Sequence, residues 1–135
     1  MMEDPIHSAK ILIVEDHVAV ARSLTALLAH LGHRCVALPN AEEAAYLNHG
    51  LFDLALIDIV LPGENGFVFA ERIAEQHPAV GIILMTGSPA HFHHPAVAPR
   101  TALLKPFRPR ELQNAVADTL RHRRRSAAGP PVSLR

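Results

Sequence analysis

Glu15 and Asp16 close the run KILIVED, Asp58 closes LALID, Thr86 closes GIILMT and Lys105 closes TALLK. Each run is apolar almost to its end, so each delivers polar groups to one edge of whatever the runs build. Three carboxylates drawn together repel; two unit charges about 4 Å apart cost about 4 kcal/mol at an effective dielectric near 20. Compensation has to accompany them. Lys105 brings one positive charge and a divalent cation brings two more. An all-oxygen donor set, read without a nearby Cys or His, favours Mg2+ or Mn2+. Acids, a cation, one lysine and one hydroxyl suit phosphoryl chemistry. The metal and Lys105 neutralise charge on the transferring group, Thr86 donates a hydrogen bond, and a carboxylate is the nucleophile. Asp58 is the candidate, because the loop after it leaves its oxygen approachable. Taken singly, Asp58 reads as a loop-capping carboxylate, Lys105 as a surface lysine and Thr86 as a polar strand exit.

Their convergence depends on the elements that carry them. KILIVED, RCVALP, FDLALID, AVGIILMTG and TALLK are short runs rich in β-branched and apolar residues, as buried strands are. Between the first two, Val20, Leu24, Leu27, Leu28 and Leu31 fall on one helical face, and Gly32 supplies a stop. Asn40 caps a second helix expected to run to Gly50, with Glu43 at the capping-box position. Phe67, Ala70, Ile73 and Ala74 line a third before Pro78 ends it. Arg108-Pro109 opens the last helix, with Leu112, Val116 and Leu120 as its buried stripe. Strands and helices alternate, and the strands are apolar throughout. This predicts a doubly wound α/β domain with a five-stranded parallel sheet, order 2-1-3-4-5, flavodoxin-like, and ligands beyond the carboxyl ends of the strands. One segment departs. GSPAHFHHPAVAP carries Pro89, Pro95 and Pro99 where a fourth helix belongs, and an interior proline costs about 3 kcal/mol, so an irregular fourth helix is expected.

The 135 residues, 49% hydrophobic and 19% charged, suit one globular core. No apolar run approaches a membrane span and the start lacks an export signal, so a cytoplasmic setting is expected. The single cysteine, Cys35, fits a reducing compartment and reads as a small buried residue at a strand start. Charge is uneven: Lys/Arg number nine against two Asp/Glu from residue 100 onward, and four against eleven before it. The expected division is a leader over 1–9, a domain over 10–122 and a basic, disordered tail over 123–135.

With VED at 14–16, DIVLPGENG at 58–66, MTG at 85–87 and KPF at 105–107, the chain resembles the receiver domain of two-component response regulators. The resemblance implies that Asp58 accepts a phosphoryl group from a phosphohistidine, supplied by a histidine kinase or a histidine phosphotransfer protein. It implies Mg2+ held by Asp16, Asp58 and the backbone carbonyl of Val60, with Glu15 helping through water. Thr86 and Lys105 would contact the phosphoryl oxygens. Lys105-Pro106 would be a cis peptide, which X-Pro bonds allow cheaply. Pro62 and Gly66 read as loop-shaping residues.

The chain departs from the family's pattern at Ala102. The family often has Tyr or Phe three residues before the lysine, moving inward as the Thr hydroxyl turns toward the phosphoryl group, and a methyl cannot fill that space. Val60 is apolar and cannot orient an attacking water, so self-dephosphorylation is expected to be slow. The expected protein is a stand-alone phosphoacceptor module, not an enzyme on a separate substrate. It would signal to a downstream protein partner as a monomer or weak dimer, without specific DNA binding or membrane attachment. A non-switching scaffold of the same fold is one alternative. An aspartyl-phosphate phosphohydrolase resembling the haloacid dehalogenases is another, weakened because Val60 stands where that group has its acid–base aspartate. A flavodoxin-like cofactor binder needs a Ser/Thr/Gly-rich first loop, where this chain has Glu15 and Asp16. HFHH at 91–94 reads as a solvated loop rather than a metal site, RHRRR at 121–125 as helix-end cations and a frayed tail.

Overall fold

The computed structural model describes residues 8–97 and 100–128, with the backbone alone for 124–128; the expected leader falls almost wholly outside these residues, as do Pro99 and the chain beyond 128. Five strands, β1 (Lys10–Val14), β2 (Arg34–Leu38), β3 (Leu54–Asp58), β4 (Gly81–Thr86) and β5 (Thr101–Leu104), form one sheet of order β2-β1-β3-β4-β5. Every pairing is parallel. The expected strand order holds. The inner strands β1, β3 and β4 are buried almost throughout, while β2 and β5 are partly exposed edges. Burial on both faces is why the inner runs carry no polar alternation.

Side chains alternate between two cores. On one face Leu12, Val14, Ala55, Ile57 and Leu84 pack under α3 (Gly66–Gln76) through Phe69, Ala70 and Ile73. On the other, Ile11, Ile13, Leu56, Ile83 and Met85 meet Leu24 and Leu28 of α1 (Val18–His30) and Leu112, Ala115 and Val116 of α4 (Pro109–Ala128). Each fully buried Leu, Ile or Phe contributes about 1.5–3 kcal/mol of transfer free energy.

Two helices differ from expectation. Asn40 does cap α2, its side chain accepting from the Glu43 N–H at 2.7 Å, but α2 stops at Ala44 (Ala41–Ala44) instead of reaching Gly50. The Ala44 carbonyl is taken at 2.7 Å by the buried His49 ring, and Asn48 starts a separate 3-10 turn, His49–Leu51. The last helix runs past 122 to Ala128, and Arg123 pairs with Asp53 at 3.1 Å, so the chain is still helical where the tail was expected to begin. The expected irregular fourth helix is a 3-10 turn, Pro89–His93. Cys35 is half-buried in β2, where burial pushes its thiol up to about 11, so it is a poor nucleophile.

Candidate phosphoacceptor site

Parallel pairing brings the carboxyl ends of β1, β3, β4 and β5 to one edge. Backbone bonds hold the residues just beyond them: Glu15 N–H to the Leu38 carbonyl at 3.0 Å, Ile59 to Met85 at 2.8 Å and Lys105 to Thr86 at 2.7 Å. Glu15 and Asp58 are buried there, and Asp16 is half-buried. The Lys105 Nζ donates to Asp58 Oδ2 at 2.7 Å and to Glu15 Oε1 at 2.5 Å, so one ammonium bridges two carboxylates. Asp58 Oδ1 accepts from the Val60 N–H at 2.9 Å. Lys105-Pro106 is a cis peptide.

Burial pushes the Asp58 carboxyl above its ordinary value, aided by the neighbouring Glu15 charge; the Lys105 and Val60 hydrogen bonds only partly oppose this. For Glu15, burial acts the same way but is outweighed by bonds from Lys105 and His17, leaving its carboxyl below the ordinary range. Burial also disfavours the Lys105 ammonium, yet its two carboxylate partners prevail and hold it more firmly protonated. Between Asp58's unfolded and raised folded values, the folded protein keeps a proton that the unfolded chain has released. The contribution of Asp58 to stability therefore rises as pH falls through the raised value. Without divalent metal, Asp58→Asn is expected to melt higher than the unsubstituted protein at neutral pH. The gap should close below the ordinary carboxylate range, and paired melts across pH check this.

Glu15, Asp16, His17 and Asp58 each place one ligand atom within 4.8 Å of the others. Asp16 Oδ1 is buried and has no hydrogen-bond partner, and an unpaired buried carboxylate oxygen is what a bound cation would satisfy. Three carboxylates at this spacing fit Mg2+ or Mn2+. The sequence reading took the set to lack a nearby histidine; the structure corrects this. His17 Nδ1 lies 3.2 Å from Glu15 Oε2 and 3.6 Å from Asp16 Oδ1. The signal available in the sequence was the adjacency of His17 to Asp16.

Thr86 is buried at the end of β4, and its hydroxyl hydrogen-bonds to neither Asp58 nor Lys105. It accepts from the Ser88 N–H at 3.0 Å and meets His91 Nδ1 at 2.5 Å. Phe92, His93 and His94 are exposed, as the solvated-loop reading of HFHH expects, and only His91 is half-buried through this contact. Ala102 is half-buried on β5, paired with Leu84. Val60 points outward, 62% exposed. Pro62 is exposed beside Gly63, which takes φ +76°, so the left-handed turn in this loop belongs to Gly63 and not to either residue expected to shape it. Gly66 matters through close approach instead: a Cβ there would sit 2.2 Å from the Asp58 carbonyl oxygen.

The family model of the response regulator receiver domain matches residues 11–117. The chain belongs to this family. The receiver domain is 34% identical over 131 residues to the DNA-binding transcriptional regulator NtrC of Azospirillum brasilense, covering 94% of this chain and 26% of that protein. It is 36% identical over 78 residues to the two-component response regulator PhoP of Pseudomonas aeruginosa, covering 57% of this chain and 35% of that protein. The chain thus spans about a third or less of these curated relatives. Among solved structures, a CheY-like receiver domain protein from Methanospirillum hungatei superposes with TM-score 0.78 at 28% identity, covering 87% of this chain and 98% of that one. TrrA from Thermotoga maritima, solved in complex with Mg(2+)-BeF, superposes with TM-score 0.77 at 26% identity, covering 82% and 98%. Receiver domains belong to two-component signalling, are generally non-enzymatic phosphoacceptor modules, and imply a histidine kinase as partner. Among the described residues, no helix is long and apolar enough to cross a membrane.

Proposed function

We propose that Asp58 accepts a phosphoryl group from the phosphohistidine of a histidine kinase or histidine phosphotransfer protein. The observation that carries this reading is the Lys105 bridge between Asp58 and Glu15, beside the unpartnered Asp16 oxygen. An Asp58 carboxylate oxygen attacks phosphorus, the P–N bond breaks, and the donor imidazole leaves with the bonding pair. Asp16, Asp58 and the Val60 carbonyl would hold Mg2+, with Glu15 assisting through water, and the ion would offset charge on the transferring group. Lys105 then turns its ammonium to the phosphoryl oxygens, and the Thr86 hydroxyl donates to another. A groove bounded by Asp16, Val18, Arg22 and Pro39 opens beside the acids and leaves room for the donor protein.

The phosphorylated domain signals through a protein partner in the cytoplasm, as a monomer or weak dimer, and reads no DNA sequence itself. Residues 10–122 are the functional unit. Intact mass after treatment with acetyl phosphate, with and without Mg2+, tests the assignment. One phosphoryl adduct that needs the metal is expected; a folded, Mg2+-binding protein with no adduct would favour a receiver-like scaffold, which the missing aromatic at Ala102 suits.

The exposed Val60 side chain offers no group to orient water beside the acyl phosphate. The adduct is expected to decay slowly, and Val60→Asn, which adds an amide there, to shorten its lifetime. Decay followed by intact mass decides, and a lifetime of seconds in the unsubstituted protein would refute the idea.

A further inference from the structure

Thr86 is fully buried, and its hydroxyl has one proton to donate and two lone pairs. The Ser88 N–H uses one lone pair, and the second contact is His91 Nδ1 at 2.5 Å. Two arrangements are open. If His91 Nδ1 carried a proton, the Thr86 oxygen would accept twice and its own proton would have no acceptor among the described residues. If the hydroxyl donates to an unprotonated Nδ1, every group is paired. Buried donors are overwhelmingly paired, so the second arrangement describes the resting protein.

We propose that His91 is a positioning residue that holds the Thr86 proton away from the phosphoryl site until Asp58 is modified. This rests on the reading of Asp58 as phosphoacceptor. The hydroxyl cannot donate to His91 and to a phosphoryl oxygen at once. A phosphoryl dianion is the stronger acceptor, since bonds to ionised groups are about twice as strong as neutral ones. Modification at Asp58 therefore takes the proton from His91 Nδ1.

The consequence reaches the surface through aromatic contacts. The His91 ring stands edge-on to Phe67 at 5.9 Å, and Phe67 stacks on His94 at 3.9 Å. His94 in turn accepts from the Ala96 N–H at 3.0 Å through its Nδ1. Releasing His91 frees the turn Pro89–His93 from the end of β4 and loosens the Phe67–His94 pair on the face of α3. In this chain the loop histidine performs the coupling that Ala102 is too small to perform.

The test uses the full chain labelled with 15N in its histidines, with Mg2+ and beryllofluoride as the phosphoryl mimic. In the resting protein the His91 Nδ1 resonance should be that of an unprotonated acceptor, and it should shift when beryllofluoride binds. His91→Phe keeps a ring against Phe67 but removes the acceptor, and beryllofluoride should bind it about 2- to 10-fold more tightly, the range one net hydrogen bond spans. His91→Asn restores an acceptor and should bind like the unsubstituted protein. A protonated resting Nδ1, equal affinities for all three proteins, or equal shifts in both variants would overturn the proposal. Should His91→Phe fail to fold, the resonance of the unsubstituted protein still decides. Absence of beryllofluoride binding in the unsubstituted protein would overturn the Asp58 reading as well, whereas binding without any His91 effect removes only the latch.

Discussion

Asp58→Asn is expected to gain no phosphoryl group from acetyl phosphate under conditions where the unsubstituted protein gains one. The loss should be at least about 100-fold in adduct, because the change removes the nucleophile of a covalent step. An amide of the same shape keeps one acceptor oxygen, enough for the Val60 N–H or the Lys105 ammonium but not both, while Glu15 still holds Lys105 and keeps the site assembled. Burial already disfavours the charge at Asp58, and its removal should leave the metal-free protein no less stable at neutral pH. Loss of the adduct in a variant that melts as high as the unsubstituted protein separates chemistry from folding. The neighbouring acids are poor substitutes. Glu15 has a fully buried carboxylate held by Lys105, and Asp16 lacks the lysine contact. An undiminished adduct in Asp58→Asn, located on Glu15 or Asp16 by peptide mass, would remove Asp58 from the role. A simultaneous measurement of Mg2+ binding is informative. The variant keeps Glu15 and Asp16 but loses one anionic ligand, so the metal should bind more weakly.

Gly66→Ala carries the largest expected cost to the fold. The added Cβ would lie 2.2 Å from the Asp58 carbonyl oxygen and 2.7 Å from the Ile59 Cα. Both are backbone atoms, so no flexible side chain can move aside. The Gly66 N–H also donates to the Ile59 carbonyl at 2.8 Å, which pins α3 against the end of β3. Relief requires this bond to lengthen and the loop from Ile59 to Asn65 to shift, carrying the Asp58 backbone with it. Overpacking costs about 1–3 kcal/mol where side chains can adjust, and a backbone clash belongs at or above the upper end. A fall in melting temperature of about 10 °C follows for a domain of this size. Weakened Mg2+ binding should accompany it, because Asp58 is the residue displaced. A melt within about 2 °C of the unsubstituted protein would show that the loop relaxes freely. Gly63→Ala differs in kind. Its nearest obstacle is the Glu42 carboxylate at 2.6 Å, the movable end of a side chain, so its cost should come mainly from φ +76°.

Much of this protein was legible in its sequence, for local physical reasons. Unbroken apolar runs meant strands buried on both faces, and their alternation with 3.6-periodic helices required parallel pairing. Parallel pairing with right-handed crossovers puts all carboxyl ends on one edge. Glu15, Asp16, Asp58, Thr86 and Lys105 had to meet there once β1 and β3 were adjacent. The prolines between β4 and β5 announced the short turn in place of a helix. Asn40 announced a cap, but capping sets where a helix begins and not how far it runs. The end of α2 was set by the His49 ring reaching the Ala44 carbonyl, and the extension of α4 goes with an Arg123–Asp53 pair spanning 70 positions of sequence. Contacts between distant residues also decided the site's working state. Nothing in VED or MTG says that Lys105 will bridge Glu15 to Asp58, that His17 will turn back onto Glu15, or that Thr86 will find His91. Residue type and order determined which groups reach the sheet edge, since backbone pairing alone carries them there. Which hydrogen bonds those groups then make depended on side-chain rotamers and loop paths, and only the packed tertiary structure sets these.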